Sequence, residues 1–415
     1  MLSRFLVLLL LAVPAAGQVT VVAAGDIACD PADVGYNGGA GTATRCHMLA
    51  TSNVALGLYP AAVLLLGDNQ YENGALAKYQ ASFDPSWGRL KAVIRPAPGN
   101  HEYATAYAQG YYDYFGMAAG DPAKGWQSFD LGGWHLIALN SNCGSIGGCG
   151  TSSPQGLWLA ADLAAHPGVC TLAYWHHPRF SSGPHGNDAL SQDFWTLLRS
   201  AGADLVLNGH DHGYERFAAQ SPTGAADPGG PREFVVGTGG KDLTSVMTVR
   251  ANSEVRNYGS FGVLELTLHS NGYEWRFLSD AGAVLDSGHG LCHSALPAPA
   301  ADFHTLAPCR LADTRSSAPL AAGVPVAFPA TGSCGIPSDA VAVVVNATVI
   351  DPTASGNLQL YPSGLLSPQT SIVNFPAKTN RGSLAILPLG LKGGLDAQVS
   401  AGTADVVLDV TGYFQ

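Results

Sequence analysis

The chain reads as an α/β domain followed by an all-β domain. Three observations lead there. Short apolar strands alternate with helical segments through the first two thirds, an Ala/Pro stretch interrupts the pattern, and only β-type segments follow it. At 415 residues, 47% hydrophobic and 12% charged with 51 glycines, the sequence describes large, well-packed domains with many turns and excludes disorder.

In order, strands are predicted at Val19–Ala24, Ala62–Leu66, Ala92–Ala97, Trp134–Leu139, Thr171–Trp175, Leu205–Asn208, Phe234–Val236 and Phe261–Leu268. Several are unbroken runs of Val, Leu and Ala, the mark of strands covered on both faces. Ser153 is placed to cap a helix that Pro154 opens and His166-Pro167 closes. A second helix runs from Ala189 to Ala201, with Phe194, Leu197 and Leu198 inward and Gly202 as its stop. Ala and Pro dominate the linker at 294–302, and all seven tryptophans precede it. Beyond it, β segments at Val341–Ile350, Leu358–Tyr361, Ser371–Phe375, Leu384–Pro388 and Asp405–Tyr413 predict a sandwich.

Arg4, the apolar run Phe5–Val13 and the small-residue exit Pro14-Ala15-Ala16-Gly17 read as a cleaved export signal over 1–17. The run falls short of the roughly 20 residues that span a bilayer, so no membrane anchor is expected. Export gives the eight cysteines an oxidising compartment and predicts four disulfides. Proximity favours Cys143 with Cys149 and Cys309 with Cys334. Cys29 with Cys46 would staple the loop after Asp26, which leaves Cys170 and Cys292. The net charge of −11 excludes nucleic acid as the main partner.

Five runs each end a predicted strand with a metal-binding residue: Gly25-Asp26, Gly67-Asp68-Asn69-Gln70-Tyr71, Gly99-Asn100-His101-Glu102, Trp175-His176-His177-Pro178 and Gly209-His210-Asp211-His212. Ligands gather at the carboxyl ends of strands in such folds. Carboxylates, a phenol, an amide and imidazoles suit two adjacent oxygen- and nitrogen-loving cations. Asp68 is the natural bridge between cations roughly 3.5–4 Å apart. Asn100 offers a neutral amide oxygen. His210 and His212, two apart on a segment expected to be extended, point the same way, so one can face each metal. A phenolate at Tyr71 requires a strongly acidic cation, because tyrosine ordinarily ionises near pH ~10.

Gly67-Asp68-x-x-Tyr71, Gly99-Asn100-His101-Glu102, His176-x-Pro178 and Gly209-His210-x-His212-x-Tyr214-Glu215-Arg216 resemble the motif series of purple acid phosphatases, within the calcineurin-like metallophosphoesterases. The resemblance covers roughly residues 19–290; Ala28 stands where that group usually has Gly. It implies an α/β metallophosphoesterase sandwich of two mixed β-sheets flanked by helices, here followed by the all-β sandwich-like domain. It also implies a ferric ion held by Asp26, Asp68, Tyr71 and His212. A divalent iron, zinc or manganese ion would be held by Asp68, Asn100, His176 and His210. A hydroxide on the metals would then attack phosphorus in line.

The acid that protonates the leaving oxygen must be a histidine that is not a ligand. His101 assists the transition state in this superfamily, and His185 lies nine residues after His176, where purple phosphatases place a substrate-binding or acid histidine. His177 competes with them. Glu215 and Arg216 are expected to pair beneath the site. The domains expected are therefore a signal at 1–17, a phosphoesterase domain at 18–293, a linker at 294–302 and a β domain at 303–415. The function expected is a secreted phosphatase acting on phosphorylated small molecules. The alternatives are a phosphodiesterase or nucleotidase with the same metals, or an inert surface protein. With Cys309-Arg310-Leu311-x-Asp313-Thr314-Arg315 near its start, Cys334-Gly335-Ile336-Pro337 and a closing Val410-Thr411-Gly412-Tyr413, the C-terminal domain resembles β modules appended to secreted bacterial proteins; a stabilising role, surface attachment or carbohydrate contact is expected of it.

Overall fold

Alternate residues of the first strand face two different cores. Val21 and Ala23 join one apolar cluster, Val22 and Ala24 another, and all four are fully buried. Leu64 and Leu66 against Val63 and Leu65 repeat the arrangement. A strand with no wet face has no reason to alternate, which explains the unbroken apolar runs.

The computed structural model describes residues 18–293, 302–338, 340–363, 367, 370–390 and 393–415. The export signal and the linker up to residue 301 lie outside the described residues. Residues 18–157 with 166–293 form one unit, and 158–165 with 302–415 another.

The first unit carries β1 (Val19–Ala24), β2 (Ala62–Leu66), β3 (Ile94–Ala97), β4 (Gln127–Leu131), β5 (Trp134–Ala138), β6 (Cys170–Tyr174) and β7 (Leu205–Asn208). Then come β8 (Tyr214–Phe217), β9 (Arg232–Val236), β10 (Ser253–Asn257), β11 (Gly262–His269), β12 (Gly272–Ser279) and β13 (Val284–Leu291). One sheet has the order β13-β12-β11-β1-β2-β3 and the other β10-β8-β9-β7-β6-β5-β4. Both are mixed: β1-β2-β3 and β5-β6-β7-β9 run parallel, and the remaining pairs antiparallel. Leu64, Leu266, Leu172, Leu207 and Phe234 fill the space between the sheets. Tyr79, Phe83, Trp87, Tyr111 and Phe115, from helical turns, cover the outer face of the first sheet. This is the expected two-sheet sandwich.

Details differ from expectation. The third strand starts at Ile94 instead of Ala92, because Trp87–Val93 winds into 3-10 turns. Strands β4, β8, β10, β12 and β13 were not anticipated; in β13 exposed and half-buried residues alternate, and Ser287, Gly288 and Gly290 dilute its apolar signal. The helix at Pro154–Ala165 is capped as expected, Ser153 Oγ accepting the Gly156 N–H at 3.1 Å. The later helix is shorter, Gln192–Ala201, and ends on Gly202 at φ 74°.

The second unit carries β14 (Phe303–Asp313), β15 (Leu320–Ala321), β16 (Val326–Pro329), β17 (Ala342–Ile350), β18 (Gly356–Pro362), β19 (Val373–Phe375), β20 (Arg381–Pro388), β21 (Gly394–Val399) and β22 (Thr403–Phe414). Its sheets, β14-β22-β17-β20 and β16-β21-β18-β19, enclose Val343, Val345, Leu358, Leu395 and Leu408 as one core. The Cys309–Arg315 motif is structural here. Arg310 forks onto Asp409 and reaches Asp313, while Thr314 Oγ1 donates to Asp405. All four expected disulfides form: Cys29–Cys46, Cys143–Cys149, Cys170–Cys292 and Cys309–Cys334.

Candidate metal centre

The loops after β1, β2, β3, β6 and β7 converge, and each delivers a candidate ligand. Asp26, Asp68 and His210 adopt left-handed φ values of 60°, 48° and 71°, a conformation uncommon for residues other than glycine and met more often by Asp and His than by most. The motif glycines allow the close approach. A Cβ on Gly99 would stand 2.1 Å from Asp68 Oδ1, and one on Gly209 2.6 Å from Asp26 Oδ2.

Two sets of donor atoms result. In the first, Tyr71 Oη lies 2.8 Å from Asp26 Oδ1, 3.2 Å from Asp68 Oδ2 and 3.1 Å from His212 Nε2. In the second, His176 Nε2 lies 3.2 Å from Asp68 Oδ2, 3.0 Å from Asn100 Oδ1 and 3.1 Å from His210 Nδ1. Asp68 Oδ2 belongs to both. All seven residues expected as ligands therefore meet. The segment holding His210 and His212 is a turn, not the extended stretch expected: Asp211 N donates to Gly209 O and Gly213 N to Asp211 O. The two rings still reach different donor sets.

This donor set fits cations. His176 turns Nδ1 to the Leu66 carbonyl at 2.9 Å, and His212 turns Nδ1 to Asp242 Oδ1 at 2.5 Å. Those acceptors keep a proton on Nδ1 and leave Nε2 to face carboxylate and amide oxygens. Burial works against charge on both rings, yet Asp68 pushes His176 up to about 9 and Asp26 pushes His212 up to about 10. Protons are drawn to where cations would sit. Burial, then Asp26 and Asp68, hold the Tyr71 phenol well above its ordinary range.

A cavity of about 220 Å³ opens over these atoms, lined by Asp68, Tyr71, Asn100, His210 and His212 with His101, His185, Glu72, Lys241 and Asp242. It separates the three candidate acids. His101 donates Nδ1–H to the Glu72 carbonyl at 2.7 Å, and His185 holds Nδ1 2.8 Å from Asp211, so each keeps Nε2 for the cavity. His177 is not among the lining residues. Its Nδ1 faces Ser141 Oγ at 2.7 Å, and burial, then His176, pushes it down to about 3.

Sequence reasoning missed three residues here: Asp242, Asp211 and Glu102. Buried Glu102 accepts the N–H groups of Asn69, Gln70 and Gly99 and the Tyr79 hydroxyl, binding the loops after β2 and β3 together. Burial, then the charge of Asp68, pushes it up to about 7. Its place in the Gly99–Glu102 run was the only signal. The expected Glu215–Arg216 pair does not form. Along β8, Glu215 takes the Ser182 N–H and hydroxyl while Arg216 pairs with Asp286 and Glu254, since neighbours on a strand point to opposite faces.

The calcineurin-like phosphoesterase family model matches residues 32–214. Purple acid phosphatase 15 of Arabidopsis thaliana is 31% identical over 237 residues, 48% of this chain and 42% of that protein. Purple acid phosphatase 18 of the same plant is 32% identical over 128 residues, 29% of this chain and 28% of that protein. The chain thus spans less than half the length of either relative. A purple acid phosphatase from yellow lupin (Lupinus luteus) seeds superposes with a TM-score of 0.56 at 17% identity, covering 68% of this chain and 57% of that one, and shows the fold. Residues 32–214 are therefore similar to the calcineurin-like phosphoesterase family, and the N-terminal unit is similar to purple acid phosphatases in sequence and in fold.

Proposed function

We propose that the chain is a secreted hydrolase of phosphate monoesters. Asp26, Asp68, Tyr71 and His212 would hold a ferric ion, and Asp68, Asn100, His176 and His210 a divalent iron, zinc or manganese ion. The observation that carries this reading is Asp68 Oδ2, which stands 3.2 Å from both Tyr71 Oη and His176 Nε2. One oxygen common to two donor sets is what a pair of adjacent cations requires. Two carboxylates and a phenol make the first set rich in hard, anionic oxygen donors, which suit a trivalent ion.

When bound, the cations supply Lewis acidity toward phosphoryl oxygens and make water acidic enough to attack at neutral pH. The chain's own residues orient the substrate and move its proton. His101, whose backbone N–H is fixed on Asp68 Oδ1 at 2.8 Å, is placed to hold a phosphoryl oxygen through Nε2. His185, half exposed at the cavity rim, is placed to hand a proton to the departing oxygen.

The phosphoesterase domain is assigned to 18–293, the linker to 294–302 and a separate β domain to 303–415. Export after loss of residues 1–17 accords with four disulfides, which persist in oxidising compartments. The test is metal analysis with phosphomonoester hydrolysis, on wild type and Asp68→Asn. Wild type is expected to hold two metals per chain, and the variant to lose at least one of them with most of the activity. Full metal content and unchanged turnover in the variant would overturn the assignment.

A further inference from the structure

Asp211 lies between two proposed ligands, yet its own carboxylate serves neither donor set. His210 and His212 line the cavity, whereas Asp211 is fully buried. Its Oδ1 accepts the backbone N–H of His185 at 3.0 Å and the ring Nδ1–H at 2.8 Å. Its Oδ2 accepts the Ser181 hydroxyl. The Ser181 oxygen itself accepts the Gly183 N–H at 3.0 Å, so its hydrogen is free for Asp211. Four donors from the segment 181–185 thus end on a single carboxylate, three directly and the Gly183 N–H through Ser181.

That anchoring answers a mechanical need. The His185 side chain is 49% exposed and its ring rests 4.1 Å from that of His210. A ring so open on a loop would otherwise share its time among rotamers and tautomers. With Nδ1–H held by a carboxylate, Nε2 is the only nitrogen left to face the cavity. His101 gets the same service from a neutral backbone carbonyl, and His177 from the Ser141 hydroxyl.

We infer that Asp211 is a positioning residue, which fixes the ring plane and tautomer of His185 so that Nε2 addresses the leaving oxygen of a phosphate ester. The inference rests on the reading of His185 as proton donor. As the ester P–O bond breaks, its electron pair stays on the leaving oxygen, which takes the proton from Nε2. Water oxygen forms the new P–O bond, one of its protons passing to solvent and the other staying on the released phosphate. The imidazole is left neutral with Nδ1–H still on Asp211.

The experiment combines Asp211→Ala and Asp211→Asn with His185→Ala, singly and together, in the metal-loaded full chain. Turnover is measured on ethyl phosphate and on 2,4-dinitrophenyl phosphate, alongside metal content and crystal structures. Asp211→Ala is expected to swing the ring away, keep both metals and slow ethyl phosphate hydrolysis by about 10- to 100-fold, with less than about threefold effect on the dinitrophenyl ester. Adding it to His185→Ala should cost nothing more, because both changes remove one function. Asp211→Asn should keep the ring in place and turnover within about threefold, since the His185 N–H fixes its amide oxygen and its NH₂ can face Ser181. If the alanine variant does not fold, Asp211→Ser takes the same measurements. An unmoved ring, lost metal, or losses that add to those of His185→Ala would overturn the inference. A displaced ring with wild-type turnover in both single variants would instead reject His185 as the donor and leave the positioning intact.

Discussion

His212 Nδ1 lies 2.5 Å from Asp242 Oδ1, so the proton of this ring is held on the side away from Tyr71. Asp242 itself is held below the usual carboxylate range, where burial is outweighed by the His212 hydrogen bond. A carboxylate behind a ligand histidine sharpens its orientation and basicity. Asp242→Ala is therefore expected to weaken metal binding at the His212 site by about 10- to 100-fold, the usual effect of losing such a partner. Chelator competition against wild type measures it, and equal affinities would remove Asp242 from the metal centre.

Tyr71 gives a colour test. Its hydroxyl touches Asp26, Asp68 and His212, and only a strongly acidic cation would take its proton. A purple or pink resting protein is expected, bleached in Tyr71→Phe while the other six proposed ligands stay in place. A colourless, iron-free and fully active wild type would assign the tyrosine to packing and the metals to zinc or manganese.

The cavity ranks the histidines. His101→Ala should lower turnover on phosphate monoesters by about 10²-fold, the low end for groups that act on the transition state. His177→Ala should change it by less than about fivefold, because that ring is occupied with Ser141 and is absent from the lining. The reverse order of effects would exchange their parts.

How much of this was legible depends on what each residue announces. Asp26, Asp68, Asn100, His176 and His210 carry their chemistry in their own side chains at strand ends, four of them directly after a glycine, so the linear pattern sufficed. Asp242 and Asp211 act through other residues. Each is an ordinary turn-type Asp until the fold brings a ring nitrogen to it, and no spacing rule encodes that meeting. Strand β13 was hidden for a different reason: its burial pattern alternates only between exposed and half-buried, leaving little apolar contrast to read. The Arg216 error came from reading adjacency as contact, when strand geometry sends Glu215 and Arg216 to opposite faces.

Cys170–Cys292 closes a separation of 122 residues and joins a core strand to the end of β13's continuation. Replacing both cysteines with alanine should destabilise the N-terminal unit by roughly 2–4 kcal/mol through the freed unfolded chain. Denaturant unfolding with metals bound would measure it. No change in midpoint would mean that this clamp is redundant.

The left-handed conformations of Asp26, Asp68 and His210 have a consequence beyond geometry. Each costs of order 1 kcal/mol, and two of these residues also place buried carboxylates close together. Metal that binds only the folded form offsets both burdens at once. Heat resistance in this protein is therefore a gauge of occupancy: a melting curve becomes a meter for how many molecules in a preparation are loaded.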